Sequence, residues 1–508
     1  MSNKRFDVDV LVAGGGVAGF SAALTAARGG LRALILESQS SLGGLATNGY
    51  VNGIAGMVEG NCREWLDRMA AKGALIERPH LPSIDPEKGK LVLEEMLLEA
   101  GVKILYGVYV TDTVVENSTL KSVICHSKSG RMQVTARIII DATGDADVAA
   151  SAGVPYQVGG DQFAGFNMST TMAFRMANVN MPVYRKASAD WMQEQVSKNK
   201  IWQKMGLLAD LEEKAVANGD LPFFIFPTAL IYQVPGTSPD DADICVMTTH
   251  SFHTRNDDVE DLSRQIIEQH QQIQWMEKFF KKYLPGFEKS RVSGIANMHG
   301  IRDSRRIIGE YVLKDEDVAC AVKFKDGIAK FPEFFDTHHP TDARLGFMRH
   351  VHLDKPRNPA VCRPAQCSHD MHPYGVPGGY EARVNPLEYC EIPYRSLVPL
   401  KIDGLFVVGR CVSAEFNAIA AVRVIATSMS TGQAAAAAAV LCCKEGINPR
   451  ALDGARVRQA LIDQGVPLNE PPGGHWADIK KSLKGEFVVV PGDFVAVKGE
   501  DGIIRTHM

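Results

Sequence analysis

Arg302, Arg305 and Arg306 form the sharpest cluster of charge in the chain. If Ile301–Tyr311 is helical, Arg302 and Arg306 stand one turn apart on one face, with Arg305 beside them. Guanidinium groups so placed can hold a carboxylate through paired hydrogen bonds or stabilise the charge of an enolate. They could equally be spent on Asp303, Glu310, Asp315 or Asp317. Arg395, in the segment IPYRSLVP, is a further candidate anchor for an anion. Histidines occur at His299, His338, His339, His350, His352, His369 and His372. Imidazole titrates near neutrality, so one of them, with His372 as the named candidate, can move a proton. His350 and His352 would share a strand face, and His369 and His372 could meet in a turn. No H-E-x-x-H occurs and the acids show no ligand spacing, so no metal site is expected. The catalytic set is therefore Arg302, Arg306, His372 and Arg395.

Such residues need a scaffold, and the front of the chain supplies one. Val8–Ala13 reads VDVLVA, an apolar strand, and runs into GGGVAG at Gly14–Gly19. An Ala/Leu-rich helix follows, and then a second strand, Arg32–Glu37, ending in an acid. This is the strand–turn–helix–strand context of a Rossmann dinucleotide fingerprint. Gly14 allows the sharp turn, Gly16 lets the backbone approach a pyrophosphate, and Gly19 lets the helix sit against the strand. Glu37 is placed to accept hydrogen bonds from an adenosine ribose. These residues alone do not choose between NAD and FAD.

Further segments extend the pattern: SLGGLAT at Ser41–Thr47, IIIDATGDADV at Ile138–Val148, GLFVVGR at Gly404–Arg410, and an Ala-rich stretch holding Thr431 and Gly432. With GIRDSRRIIGEYVLKDEDV at Gly300–Val318 and IPYRSLVP at Ile392–Pro399, they resemble the FAD-dependent oxidoreductase family. That family lies within the two-dinucleotide-binding-domain flavoproteins of the glutathione-reductase structural class. The resemblance covers the chain from residue 6 to about residue 445. It implies FAD as cofactor, held by Gly14, Gly16, Gly19, Glu37, Gly43, Gly44, Ala142, Gly144, Asp145, Gly409, Arg410, Asn417, Thr431 and Gly432. It also gives Glu415 and Arg423 places near the ring or substrate.

The expected fold is α/β. A Rossmann-like FAD-binding domain is split into residues 1–160 and 386–445, around an inserted mixed α/β substrate domain at 161–385. Residues 446–508 form a small extension of a helix and short strands. Asp257–Tyr283 reads as a helix with Trp275 and Phe279 on one core face. Pro/Gly punctuation through Pro356–Pro386 suggests a substrate-side wall carrying Tyr374 and Tyr380.

Composition narrows the function classes. The chain has 508 residues, 55 Lys plus Arg against 59 Asp plus Glu, and 46 glycines. A net charge of -4 gives no electrostatic footprint for nucleic acid or anionic membrane. Ten cysteines without a C-x-x-C pair read as buried reduced thiols. No signal peptide or membrane span is apparent, and the cytoplasm is the expected location. The expected partners are a small-molecule substrate and a separate electron donor or acceptor, and a homo-oligomer is compatible with the tail. The functional expectation is hydride exchange between a small, anionic organic substrate and flavin N5. A flavin monooxygenase and a non-catalytic, FAD-stabilised interaction protein are the alternatives.

Overall fold

Two runs rich in Val, Leu and Ile, Lys4–Ala13 and Ala33–Glu37, pair in parallel at the centre of a seven-stranded sheet. The computed structural model describes residues 4–78, 81–197, 207–223, 225, 230–319, 322–332, 336–341, 389–470, 486–490, 494–498 and 504–507. Beyond Ala33–Glu37, Lys103–Tyr106 joins in parallel. On the other side, Gly130–Asp141 runs parallel to the first strand from Lys4↔Met132 to Ala13↔Asp141. This long strand is shared by two neighbours. Its first half pairs antiparallel with Thr119–Ser127, which in turn pairs with Tyr109–Glu116. Its second half pairs in parallel with Leu405–Val407. The N-terminal and late segments thus build one sheet.

Helix Val17–Arg28 and the Ala-rich helix Ile425–Glu445 cover one face of that sheet. Ile425–Glu445 is the one helix among the described residues long and apolar enough to cross a membrane, and 83% of its apolar window is buried inside the protein. The opposite face packs Leu11, Leu34, Val134 and Ile139 against Val148, Val407 and their neighbours.

The middle of the chain forms a four-stranded antiparallel sheet in the order Leu230–Gln233, Ala242–Met247, Phe174–Val179, Arg291–Ile295. Helix Val259–Tyr283 lies on it, capped by Asp258, whose side chain accepts from Asp261 N at 2.8 Å. Acids in its first turn and Lys281 and Lys282 in its last complement the helix dipole. Phe279 is buried in the core and Trp275 packs partly against it, as the helical spacing predicts.

The arginine segment is not helical. Arg305–Ile307 is a short strand, antiparallel to Tyr156–Val158. Asp303 pins its entry by accepting from Met168 N at 2.7 Å and Asn167 Nδ2 at 2.8 Å. Ile307, Ile308 and Gly309 then favour extended chain over helix. In the tail, helix Gly454–Asp463 precedes a three-stranded antiparallel sheet of Glu486–Val490, Phe494–Lys498 and Ile504–His507.

Candidate active site

A cleft of about 450 Å³ opens at the carboxyl ends of the parallel strands. Gly14, at φ +100°, lies so close to Ala142 that a Cβ would stand 2.4 Å from the Ala142 carbonyl oxygen. A Cβ on Gly19 would stand 1.9 Å from the Gly14 carbonyl oxygen. Gly16 differs: a Cβ there would meet no protein atom within 4 Å, because the residue faces the cleft. It also begins helix Val17–Arg28, whose first turn has no side-chain cap. Unpaired N–H groups and open space together suit an anion. Gly43 N donates to Gly15 O at 2.8 Å, which brings the second glycine motif beside the first. The buried Glu37 lines the cleft, with Oε2 accepting from Gly15 N and Oε1 from Gln39 N, both at 2.7 Å.

Arg410 ties the floor together. It donates to Gly144 O at 2.6 Å, to Ile301 O at 2.9 Å and to Asp145 Oδ1 at 2.6 Å. Below it, the fully buried Asp141 accepts from Thr143 N, Thr143 Oγ1 and Ala149 N. Burial outweighs those bonds and pushes its carboxyl up to about 6.

At the far end the charges thicken. Arg423 lines the cleft and donates to Asp336 Oδ2 at 2.8 Å. Asp336 also faces His338 Nε2 at 3.3 Å, and His338 Nδ1 lies 3.3 Å from His250 Nε2. Burial works against the Asp336 charge, but Arg423 and His338 overcome it and hold the carboxyl well below its usual range. Burial and Arg302 push His338 down to about 4. Arg302 donates to Ser169 O at 2.6 Å, and burial with the like charge of Arg423 pushes it down to about 9. His299, on the segment anchored by Asn297 N and Met298 N to Asn48 O, also lines the cleft.

The sequence profile of FAD-dependent oxidoreductases matches residues 9–461. The chain belongs to this family. FAD is therefore the cofactor, and the cleft fits it on its own geometry. The strand–turn–helix offers a capless helix start, Gly16 leaves a space no side chain fills, and Glu37 closes the second strand. A thiamine thiazole synthase of Methanococcus vannielii is 30% identical over 155 residues, covering 28% of this chain and 59% of that protein. The chain thus spans about 59% of the length of that curated relative. The solved structure of a geranylgeranyl bacteriochlorophyll reductase-like protein from Thermoplasma acidophilum aligns over 94% of this chain and 88% of its own, at 13% identity and a TM-score of 0.44. That of a p-nitrophenol 4-monooxygenase from Pseudomonas putida aligns over 61% and 70%, at 14% identity and a TM-score of 0.36.

The fold distributes the sequence-read residues unevenly. Gly14, Gly16, Glu37, Gly44, Ala142, Gly144, Asp145, Gly409 and Arg410 line the cleft. Gly19, Gly43, Thr431 and Gly432 shape its wall from behind. Thr431 Oγ1 accepts from Gly409 N at 3.0 Å, and Gly432 lies against Ala18. Asn417 does not line the cleft; it donates to Asp315 at 2.8 Å.

Of the arginines, Arg302 does not itself line the cleft but lies within electrostatic reach of Arg423, Asp336 and His338 at its charged end. Arg306 is closed off: it is 2% exposed and spends its guanidinium on Asp303, Gly159 O and Ala414 O. Arg305 turns to Asp147 at 2.8 Å. Arg395 does not line the cleft; it is half-exposed, paired with Asp326 at 2.9 Å and stacked on Tyr311. His372 lies outside the described residues, as do His350, His352, His369, Tyr374 and Tyr380.

The sequence reading missed Asp336, His250 and the buried glutamines Gln265, Gln269 and Gln272. The glutamines did carry a signal, since they interrupt the buried stripe of helix Val259–Tyr283 at helical spacing. Among the described residues no group of His, Cys, Asp and Glu could hold a metal. The described cysteines form no disulfide with one another and are buried, and burial pushes the thiols of Cys62, Cys125 and Cys245 up to about 12, out of the reactive range.

Proposed function

We propose that this oxidoreductase exchanges hydride between the flavin and a small organic anion, and that Arg302 holds the anion's charge. The observation that carries the reading is a mismatch of charge. Arg410 has Asp145, Arg423 has Asp336 and Arg306 has Asp303 as close carboxylate partners. Arg302 has no ion-pair partner among the described residues and makes one side-chain hydrogen bond, to a carbonyl. Asp336 and Asp303 act on it only at longer range; a largely buried guanidinium without a close counter-ion is costly, and an anionic ligand relieves that cost.

In this reading Gly14 and Gly16 let the pyrophosphate approach the start of helix Val17–Arg28, Glu37 receives the ribose, and Gly44, Ala142 and Gly144 give the remaining cofactor room. FAD, when bound, supplies the hydride-accepting or hydride-donating centre. Asp336 holds Arg423 in place, and Arg302 orients the substrate's carboxylate or equivalent group.

Anaerobic stopped-flow mixing with a panel of small carboxylates tests the proposal. Flavin bleaching by a carboxylate supports it. Arg302→Ala is expected to weaken that substrate by about ten- to a hundred-fold, the worth of a charged hydrogen bond. Flavin reduced only by NAD(P)H, followed by oxygen consumption with an uncharged substrate, would replace it with monooxygenation.

A further inference from the structure

An unbroken chain of hydrogen bonds runs from a carboxylate on helix Val259–Tyr283 to the ring of His299, and its direction is set at the carboxylate end. Asp261 accepts from Arg255 N at 2.6 Å and Arg264 Nε at 2.7 Å. Burial opposes its charge, but those donors outweigh it and keep the carboxyl low, so it can only accept. Gln265 Nε2, 3.0 Å from Asp261 Oδ2, must therefore donate. That leaves Gln265 Oε1 as an acceptor, and Thr170 Oγ1 gives it its single proton at 2.7 Å. Thr170 Oγ1 can then only accept from Gln269, at 2.9 Å, and Thr170 O accepts from the same amide nitrogen at 3.1 Å. So Gln269 presents Oε1 to His299 Nε2, 3.2 Å away. Gln265, Gln269 and Thr170 are all 0% exposed, which leaves water little room to reverse the order.

The consequence falls on the other ring nitrogen. An acceptor at Gln269 Oε1 requires the proton on Nε2, which leaves Nδ1 with a bare lone pair. His299 Nδ1 is buried and has no partner among the described residues, on a side chain that lines the cleft. We propose that His299 is a fixed hydrogen-bond acceptor of the cleft, an imidazole locked as the Nε2–H tautomer whose Nδ1 takes an N–H or O–H hydrogen from the bound molecule. Burial, helped by the charges of Arg410, Arg302 and His270, pushes the ring down to about 4, so it stays neutral and cannot donate from Nδ1. Gln269, Thr170 and Gln265 are positioning residues that act through this tautomer. The proposal rests on the cleft as the cofactor and substrate site, but not on hydride exchange.

Two measurements on the FAD-loaded protein test it. In long-range 1H–15N spectra of histidine-labelled protein, the resonances lost in His299→Gln belong to this ring. They are expected to show a protonated Nε2, an unprotonated Nδ1 and no titration between pH 5 and 8. Gln269→Leu should release the lock and mix the tautomers. His299→Leu should cost about three- to ten-fold in affinity, the worth of one neutral hydrogen bond, and His299→Asn, which keeps an acceptor, should recover part of it. A loss in the FAD dissociation constant puts the donor on the cofactor. A raised KM with FAD binding unchanged puts it on the substrate. A proton on Nδ1, a titration near the ordinary histidine value, or a His299→Leu variant that alters neither affinity overturns the proposal. Failure of carboxylates to bleach the flavin would remove the hydride reading and leave the spectra and the FAD affinity to decide this one.

Discussion

A Cβ on Gly432 would stand 2.0 Å from the carbonyl oxygen of Ala18. Helices Val17–Arg28 and Ile425–Glu445 therefore touch backbone to backbone, and the late part of the chain fixes the helix that begins at Gly16. Gly432→Ala is the test. In an uncrowded helix the change would add stability, by about 1 kcal/mol of propensity. Here the methyl must push two helices apart, and a net loss of about 1–3 kcal/mol is expected. Urea midpoints of the two proteins give the sign, and a stabilised variant would mean the contact is looser than described.

Gly16 makes the opposite case. Its Cβ position is empty of protein and its φ of -63° suits any residue. Gly16→Ala should leave the FAD-free fold within about 1 kcal/mol, the scale of the helix-start preference. FAD affinity should fall at least ten-fold, because the methyl enters the cleft. Fluorescence titration of the flavin reads the second quantity and thermal melts the first. If both stayed unchanged, the phosphate would have to sit elsewhere.

The glycine fingerprint was readable because each glycine answers a local demand: a positive φ at Gly14, a close helix at Gly19, an open face at Gly16. The pairing of Leu405–Val407 with Gly130–Asp141 was implied only by the family resemblance of the glycine-ended segments, not by any spacing between them. The charged end was not readable. Asp336, His250 and Arg423 come from separate stretches and meet only through packing, so no spacing announces them. The arginine segment misled for a related reason. Its i,i+4 pattern fits a helix, yet Asp303 and the pairing with Tyr156–Val158 hold it extended, and the alternation of a strand then separates Arg305 from Arg306.

The arginines should separate experimentally as they do in space. Removing Arg306 leaves the buried Asp303 without its ion-pair partner, and Arg306→Ala is expected to cost about 3–5 kcal/mol. Arg395 is 47% exposed in its pair with Asp326, so Arg395→Ala should cost about 0.2–1 kcal/mol and leave turnover intact. Arg302→Ala should spare stability and lose substrate. Denaturant midpoints beside steady-state kinetics sort the three, and a Arg395→Ala variant with lost turnover would return that residue to the site.

Asp141 gives a pH dependence whose sign follows from its burial. Its carboxyl is raised from 3.8 to about 6, so the folded protein holds a proton there that the unfolded chain has released. A raised acid contributes stability that is fully present below about pH 4 and is lost as pH rises through about 6. At about 1.4 kcal/mol per unit, the loss amounts to about 3 kcal/mol. Other carboxylates move the total curve, so the informative quantity is the difference between wild type and Asp141→Asn. The amide cannot ionise, and it cannot replace both acceptor oxygens that serve Thr143 and Ala149. The variant's own stability should therefore gain no pH dependence from this position, while the advantage of the wild type shrinks between about pH 4 and pH 7. Urea unfolding across that range reads the difference directly. A flat difference would mean that Asp141 keeps its charge at the price of its neighbours, with Thr143 and Ala149 holding the carboxylate more tightly than burial expels it.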